Sequence, residues 1–529
     1  MKGRKVVQSV LSKINTRHSF LLGLVLLLMV SFIVLPSHKK IPIDTRPNII
    51  YIMADDLGYS DLGCYGGEVS TPNLDQLASN GIKLKNFYNN SRCCPTRASL
   101  LTGQYPHLVG MGGMVGSNQS PIVKGSYQGF LNDSFPTIAE ELKKAGYNTY
   151  MSGKWHVGER PEHWPLKRGF DRYYGLISGA SSFFEITPAE SDKRRFVLDD
   201  KDYEIPKEGH YMTDAFTDHA IGYLDQHKKD HIGKPFFLYL AYTAPHFPLH
   251  ALETDIAKYE GLYMQGWDVT REKRFEKMKK LGLVDQRYRL SERPDVIPAW
   301  ENATEKKIWA RKMAVYAAMI DRMDQNIGRL VNTLKSNGQY ENTMIVFISD
   351  NGACAETVNT KLLSDPAKKI GERGSYHIYG ESWANASNTP FKKYKHYMHE
   401  GGIVTPCIIQ WPAKIKPKMG YSDGIGHVID LMPTALELAG AKSPGLAGTS
   451  FSYLWKTGKA PERTYCWEHE GNQAIRKGNW KLVKEFQETY WSLYNLATDP
   501  TEMNDLSGVE ATRTKAMMEE YAVWFAKVG

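Results

Sequence analysis

Apolar runs recur along this chain, and several stop on a turn built from acids, amides and glycine. Pro47–Met53 (PNIIYIM) leads into Asp55-Asp56-Leu57-Gly58, and Thr343–Ser349 (TMIVFIS) leads into Asp350-Asn351-Gly352. Pro235–Tyr242 (PFFLYLAY) is a third such run, with Pro245-His246 just beyond it. Runs without alternation read as strands buried on both faces. Between them, apolar residues recur at helical spacing over Phe135–Ala145, Thr213–Gln226 and Lys306–Ser336, the last closing on Asn337-Gly338 as a helix stop. Strands alternating with helices predict an α/β fold, a large, mixed but mostly parallel sheet sandwiched by helices. In such sheets ligands gather beyond the carboxyl ends of the strands. Asp55, Asp56, His246, Asp350 and Asn351 fall there.

The texture changes after Asp430–Ala441, which reads as a helix ending near Gly440. From 445 onward come short aromatic, alternating segments, Tyr465–Glu468, Ala474–Arg476, Trp480–Glu485 and Tyr490–Leu496, followed by the helical pattern Val509–Lys527. They predict a smaller C-terminal antiparallel sheet with a closing helix. The expected division is 1–40 as a targeting segment, 46–444 as a catalytic domain and 445–529 as a C-terminal α+β subdomain. Residues 354–400 are polar and poorly periodic, and read as a long functional loop. No internal repeat or low-complexity tract interrupts the chain.

Charge narrows the choice of partners. Of the formal net charge of +8, seven positive charges stand in the first forty residues, which hold no acid, leaving +1 for the rest. A nearly neutral body removes the main support for nucleic-acid binding, and none is expected. The basic start precedes the seventeen-residue apolar run Ser19–Leu35. As a helix that run spans roughly 25 Å, near the lower limit for a bilayer. It reads either as a signal peptide or as an uncleaved signal-anchor, since Leu35 stands where a small residue is wanted for cleavage after Ser37. Both readings place the body outside the cytoplasm, in contact with a membrane only through this segment. Six cysteines are too few for a disulfide scaffold, and adjacent Cys93 and Cys94 do not bridge on geometry.

The richest segment is Ser91–Gln104 (SRCCPTRASLLTGQ). It resembles the signature of the sulfatase family, C-x-P-[ST]-R followed by L-T-G, here Cys93, Pro95, Thr96, Arg97 and Leu101-Thr102-Gly103. The resemblance implies an alkaline-phosphatase-like fold and a maturation enzyme that oxidises Cys93 to formylglycine; Cys94 takes the variable position. The chemistry suits the modification. Attack on sulfur by a thiolate leaves a sulfated enzyme that is hard to hydrolyse. An aldehyde hydrate has one hydroxyl to attack and a second whose deprotonation expels sulfate.

Asp55, Asp56, Asp350 and Asn351 match the family's calcium ligands, together with Cys93 once modified. Either pair alone would pass for turn or helix capping. As a set they are hard oxygen donors suited to Ca2+, with Mg2+ as the alternative. Gly153-Lys154-Trp155-His156, Pro245-His246 and Lys395…Glu400-Gly401-Gly402 resemble further family elements. By resemblance Arg97 and Lys154 hold formylglycine and sulfate oxygens, His156 takes the proton of the second hydroxyl, and His246 with Lys395 faces the leaving group. One departure stands out: many relatives carry an arginine after E-G-G-I, where this chain has Val404-Thr405. The expected activity is hydrolysis of an aryl or carbohydrate sulfate monoester. Formylglycine-dependent hydrolysis of phosphonate monoesters or phosphodiesters, and a dead fold that binds sulfated glycans, are the alternatives. Specificity is expected in the loops 108–130, 178–210, 258–300 and 354–394.

Overall fold

The computed structural model describes residues 44–116, 125–187, 193–360, 363–416, 420–442, 445–458 and 461–529. The apolar run 19–35 lies outside these residues; among the described residues no helix is long and apolar enough to cross a membrane.

Among the described residues, fourteen strands form two sheets. The first ten are β1 (Asn48–Ala54), β2 (Ile82–Tyr88), β3 (Asn148–Gly153), β4 (Arg172–Leu176), β5 (Phe196–Leu198), β6 (Lys201–Asp202), β7 (Phe236–Ala241), β8 (Thr343–Ser349), β9 (Cys407–Gln410) and β10 (Tyr421–His427). They make one sheet in the order β10-β2-β9-β8-β1-β7-β3-β4-β5-β6. β1 lies parallel to both β7 and β8, and β3 parallel to β7 and β4, while β9 and β5 run against their neighbours. Alternate residues of β1 feed opposite layers. Ile50 and Ile52 pack with the long helices Met212–Asp230 and Lys306–Ser336, while Ile49, Tyr51 and Met53 pack with the helices Cys93–Thr102, Ile138–Lys144 and Leu431–Leu438. Burial on both faces is why the strand shows no polar alternation in sequence.

The strands predicted at 47–53, 235–242 and 343–349 and the helix Lys306–Ser336 coincide with the observed ones to within a residue, and the predicted C-terminal strands to within two. The helix expected from Phe135 starts at Ile138, because Thr137 caps it reciprocally: Glu140 N–H donates to the Thr137 hydroxyl and the Glu140 carboxylate accepts from Thr137 N–H at 2.7 Å. Two of the segments read as loops contain helices, Gly266–Lys280 within 258–300 and Gly380–Ser387 within 354–394. The first is masked by its charge (GWDVTREKRFEKMKK). Its inward Arg274 is matched by Asp61 and Glu68 rather than by apolar neighbours.

The C-terminal strands β11 (Thr464–His469), β12 (Asn472–Lys477), β13 (Trp480–Lys484) and β14 (Ser492–Asn495) form an antiparallel sheet in chain order. One face, with Cys466, Ile475, Leu482 and Leu493, packs on Met517 and Tyr521 of the helix Ala511–Val528. The other, with Tyr465, Trp467, Ala474 and Val483, joins the main core. All six cysteines are free thiols.

Candidate active site

The carboxyl ends of β1, β8, β3 and β7 converge, and four sets of side chains meet there. β1 ends at Ala54, and Asp56 turns out of the strand with φ 64°, so Asp55 and Asp56 escape the alternation that would send them to opposite faces. Asp350 follows β8 directly and accepts from Asp56 N–H at 3.2 Å. Asn351 Nδ2 donates to Asp56 Oδ1 at 2.6 Å and to the Gly352 carbonyl, which fixes its amide so that Oδ1 is the free end.

The signature segment is a ten-residue helix, Cys93–Thr102, buried along its whole length. Its spacing now has a physical reason. Pro95 sits in the first turn, where a missing N–H costs nothing. Cys93 and Arg97 are four residues apart and share one face. Gly103, at φ 64°, ends the helix. Cys93 thus occupies a helix N-terminus, which favours negative charge. Arg97 donates to Asp350 Oδ2 at 2.8 Å and to the Lys154 carbonyl at 3.1 Å.

Lys154 and His156 leave β3 through Gly153, whose φ is 121°; a Cβ there would meet the Ala241 carbonyl oxygen at 1.9 Å. Lys154 Nζ donates to Asp55 Oδ2 at 2.6 Å. A His156 ring nitrogen and the sulfurs of Cys93 and Cys94 lie within 4.8 Å of one another. On the opposite side Lys395 Nζ is 3.0 Å from Asp56 Oδ1 and 3.5 Å from His246 Nε2. His246 Nδ1 faces the Phe247 carbonyl at 2.6 Å, so Nδ1 carries a proton and Nε2 is the end turned to the site.

The structure therefore brings together all ten residues singled out in sequence. Three carboxylates (Asp55, Asp56, Asp350) face three cations (Arg97, Lys154, Lys395), every one buried. Burial raises Asp55 well above the usual carboxylate range, reinforced by Asp350 and opposed by Lys154 and Arg97. Asp56 resists the same burial: Lys395, His246 and the Asn351 amide bring it down to about 2. Burial presses His156 down to about 3 despite the neighbouring Cys93, so its ring is neutral and able to accept a proton.

Whether these residues suit a cation is decided by two orphaned atoms. Asp55 Oδ1 and Asn351 Oδ1 are buried oxygens with no hydrogen-bond partner, next to the carboxylates of Asp56 and Asp350. Buried oxygens without donors are costly. An all-oxygen cluster of this kind fits a hard divalent ion.

Two contributors escaped the sequence. Glu356 accepts from Arg92 and lies 3.3 Å from Lys395, closing the side of the site where Lys395 and His246 stand. It falls in the expected loop, but no spacing marks it. Gly179 packs against the His156 ring so closely that a Cβ would meet its Cε1 and Nε2 at 2.4 Å. Glu400 of the E-G-G element is structural: it accepts from Lys481 of β13 at 2.6 Å and from Tyr88 at 2.7 Å, tying the small sheet to the site. Val404 and Thr405 are fully buried. Beside Lys395 opens a cavity of about 560 Å³ lined by Arg92, Glu356, His396 and Glu470. A larger one of about 1030 Å³, around Ile308, Arg311 and Lys369, includes none of the site residues.

Fold and site define a hydrolase of the alkaline-phosphatase-like architecture, built to act on an anionic ester. Comparison with known proteins narrows this. Residues 47–441 match the Sulfatase family model, and residues 391–522 match that of the N-sulphoglucosamine sulphohydrolase C-terminal region. An uncharacterized sulfatase of Schizosaccharomyces pombe is 35% identical, over 92% of this chain and 94% of its own. An arylsulfatase of Klebsiella aerogenes is 36% identical, over 75% of this chain and 87% of its own. The solved structure of Ps i-CgsB in complex with k-i-k-neocarrahexaose superposes with a TM-score of 0.68 at 28% identity, covering 90% of this chain and 92% of the other. The chain belongs to the sulfatase family and is a sulfuric ester hydrolase.

Proposed function

We propose that this enzyme hydrolyses sulfate monoesters of saccharides or aryl alcohols with formylglycine at position 93 and one Ca2+ held by Asp55, Asp56, Asp350 and Asn351. The observation that carries the reading is the pair of orphaned oxygens, Asp55 Oδ1 and Asn351 Oδ1, beside the helix N-terminus that presents Cys93. The saccharide-bound Ps i-CgsB, similar over nine-tenths of the chain, supports a sulfated saccharide, and the arylsulfatase supports aryl esters. When bound, a divalent ion would polarise the sulfate and the nucleophilic oxygen, and a formylglycine hydrate would supply that oxygen together with a second hydroxyl.

The chain's own residues divide the remaining labour. With all three carboxylates ionised, as a bound divalent ion would hold them, they cancel the three cations, and the ion itself would bring the balance to +2, the complement of an anionic ester. Arg97 and Lys154, anchored on Asp350 and Asp55, hold anionic oxygens on the nucleophile's side. His156, neutral and beside position 93, takes the proton of the second hydroxyl. Lys395 and His246 Nε2 face the departing oxygen; His246 hands it a proton from Nε2 once its ring carries a second proton, a charged form that a bound anionic ester favours, while Nδ1–H stays on the Phe247 carbonyl. A maturation enzyme that oxidises Cys93 is required, and the basic, apolar start of the chain supports export of the body. Chelation tests the cation: activity should vanish with a chelator and return with calcium or magnesium. Restoration by zinc alone would overturn the oxygen-donor reading. Side-by-side assay of sulfate monoesters against phosphodiesters and phosphonate monoesters then separates sulfatase from phospho-ester action.

A further inference from the structure

Beside the cavity that opens at Lys395 stands a second cluster of metal-ligating side chains that the reaction above does not use. His396 Nε2 is 2.8 Å from Glu470 Oε2, and His469 Nε2 is 3.7 Å from Glu470 Oε1. One ligand atom from each of the three residues lies within 4.8 Å of the others. The two imidazole rings meet edge to face, with centroids 5.7 Å apart.

His469 shows that the arrangement lacks a partner. Its ring is fully buried, and Nδ1 lies 3.0 Å from the Gly112 carbonyl, which can only accept; the proton is therefore on Nδ1. With the proton on Nδ1, the lone pair of the neutral ring is on Nε2. That nitrogen has no hydrogen-bond partner, and it faces a carboxylate oxygen that also only accepts. Two acceptors facing each other repel, and a cation between them removes the repulsion.

The backbone gives an independent sign. His396 sits at φ 86° and Glu470 at φ 49°, in the left-handed region that residues with a Cβ avoid. Glu470 and Gly471 form the two-residue turn between β11 and β12, where Asn-Gly or Asp-Gly is the favoured pair. Strain of this kind gathers at ligand clamps, and two of these three residues carry it.

We infer that His396, His469 and Glu470 form a second metal site, for a divalent ion of the zinc class, on the wall of the cavity beside Lys395. Two imidazoles and a carboxylate are the donor set of three-ligand zinc centres with an open fourth position, and unlike the all-oxygen set they favour zinc over calcium. His396 and Glu470 also line the cavity, so the ion would stand where it could take an oxygen of a bound ligand.

The test reads ion uptake rather than turnover, so it stands or falls independently of the sulfatase reading. Full-length protein is stripped with a chelator, refilled with saturating calcium and titrated with zinc chloride by calorimetry, with metal content measured afterwards. One zinc should bind beyond the calcium. Glu470→Gln, at an exposed turn, and His396→Ala should each weaken it by at least about tenfold, with calcium content and melting temperature unchanged. The inference is overturned if no zinc binds or if zinc displaces calcium one for one. It is overturned equally if uptake survives both substitutions, which would assign the zinc to Cys93, Cys94 and His156.

Discussion

Gly179→Ala adds one methyl group and should disable the enzyme without unfolding it. The Cβ would stand 2.4 Å from His156 Cε1 and Nε2, where ordinary contact begins at 3.4 Å, so something must retreat by about 1 Å. The backbone of Gly179 needs no left-handed conformation, so alanine brings no torsional strain of its own. The neighbouring Ile177 is held on both sides, its N–H donating to the Arg195 carbonyl and its carbonyl accepting from His156 N–H, each at 3.0 Å. The ring is freer to move, since His156 Nδ1 has no hydrogen-bond partner. A displacement of about 1 Å in a proton-transferring group costs about 10²-fold in rate. That corresponds to about 2.7 kcal/mol of barrier. Nitrophenyl sulfate hydrolysis at saturating substrate gives kcat, and thermal melting reports the fold. The expected result is a kcat lowered about a hundredfold with KM little changed. A kcat within about threefold of the parent would show that the ring is not positioned by this contact. A loss that merely follows loss of folded protein would refute the reasoning as well.

The remaining expectations separate roles around the site. His246→Ala should slow hydrolysis of a sugar sulfate by about 10²–10⁴-fold, because an alkoxide needs a proton to depart, and a nitrophenyl sulfate far less. His156→Ala should slow both substrates alike; equal losses on both substrates in both variants would refute this division of labour. Cys94→Ala should retain most activity while Cys93→Ala loses it, measured on folded protein of each. Deletion of residues 1–40 should leave an active enzyme, and failure of the truncated protein to fold in any host would make that segment part of the structure.

What the sequence disclosed follows from burial. β1, β7 and β8 are covered on both faces, so they read as apolar runs, and the polar residues that end them are the ones aimed into the site. β3 was hidden because Thr149 and Ser152 are polar yet buried. Their hydroxyls donate to the Gly169 and Phe216 carbonyls at 2.8 and 2.7 Å, satisfactions that no residue pattern announces. The signature helix Cys93–Thr102 has no polar face, being buried all round, and it carries a proline, so periodicity could not find it. Gly179, Glu356, and the cluster of His396, His469 and Glu470 owe their roles to contacts between distant segments. Family resemblance supplied the ten site residues by motif, whereas their charge balance and the orphaned oxygens required coordinates.

The account rests on position 93, and mass spectrometry of the tryptic peptide Cys93–Arg97 tests it most directly. After expression with a competent maturation enzyme and treatment with an alkylating agent, this peptide should carry one aldehyde, reactive toward a hydrazide, and one alkylated thiol, at Cys94. Two alkylated thiols in a protein that nonetheless hydrolyses sulfate esters would contradict the central claim.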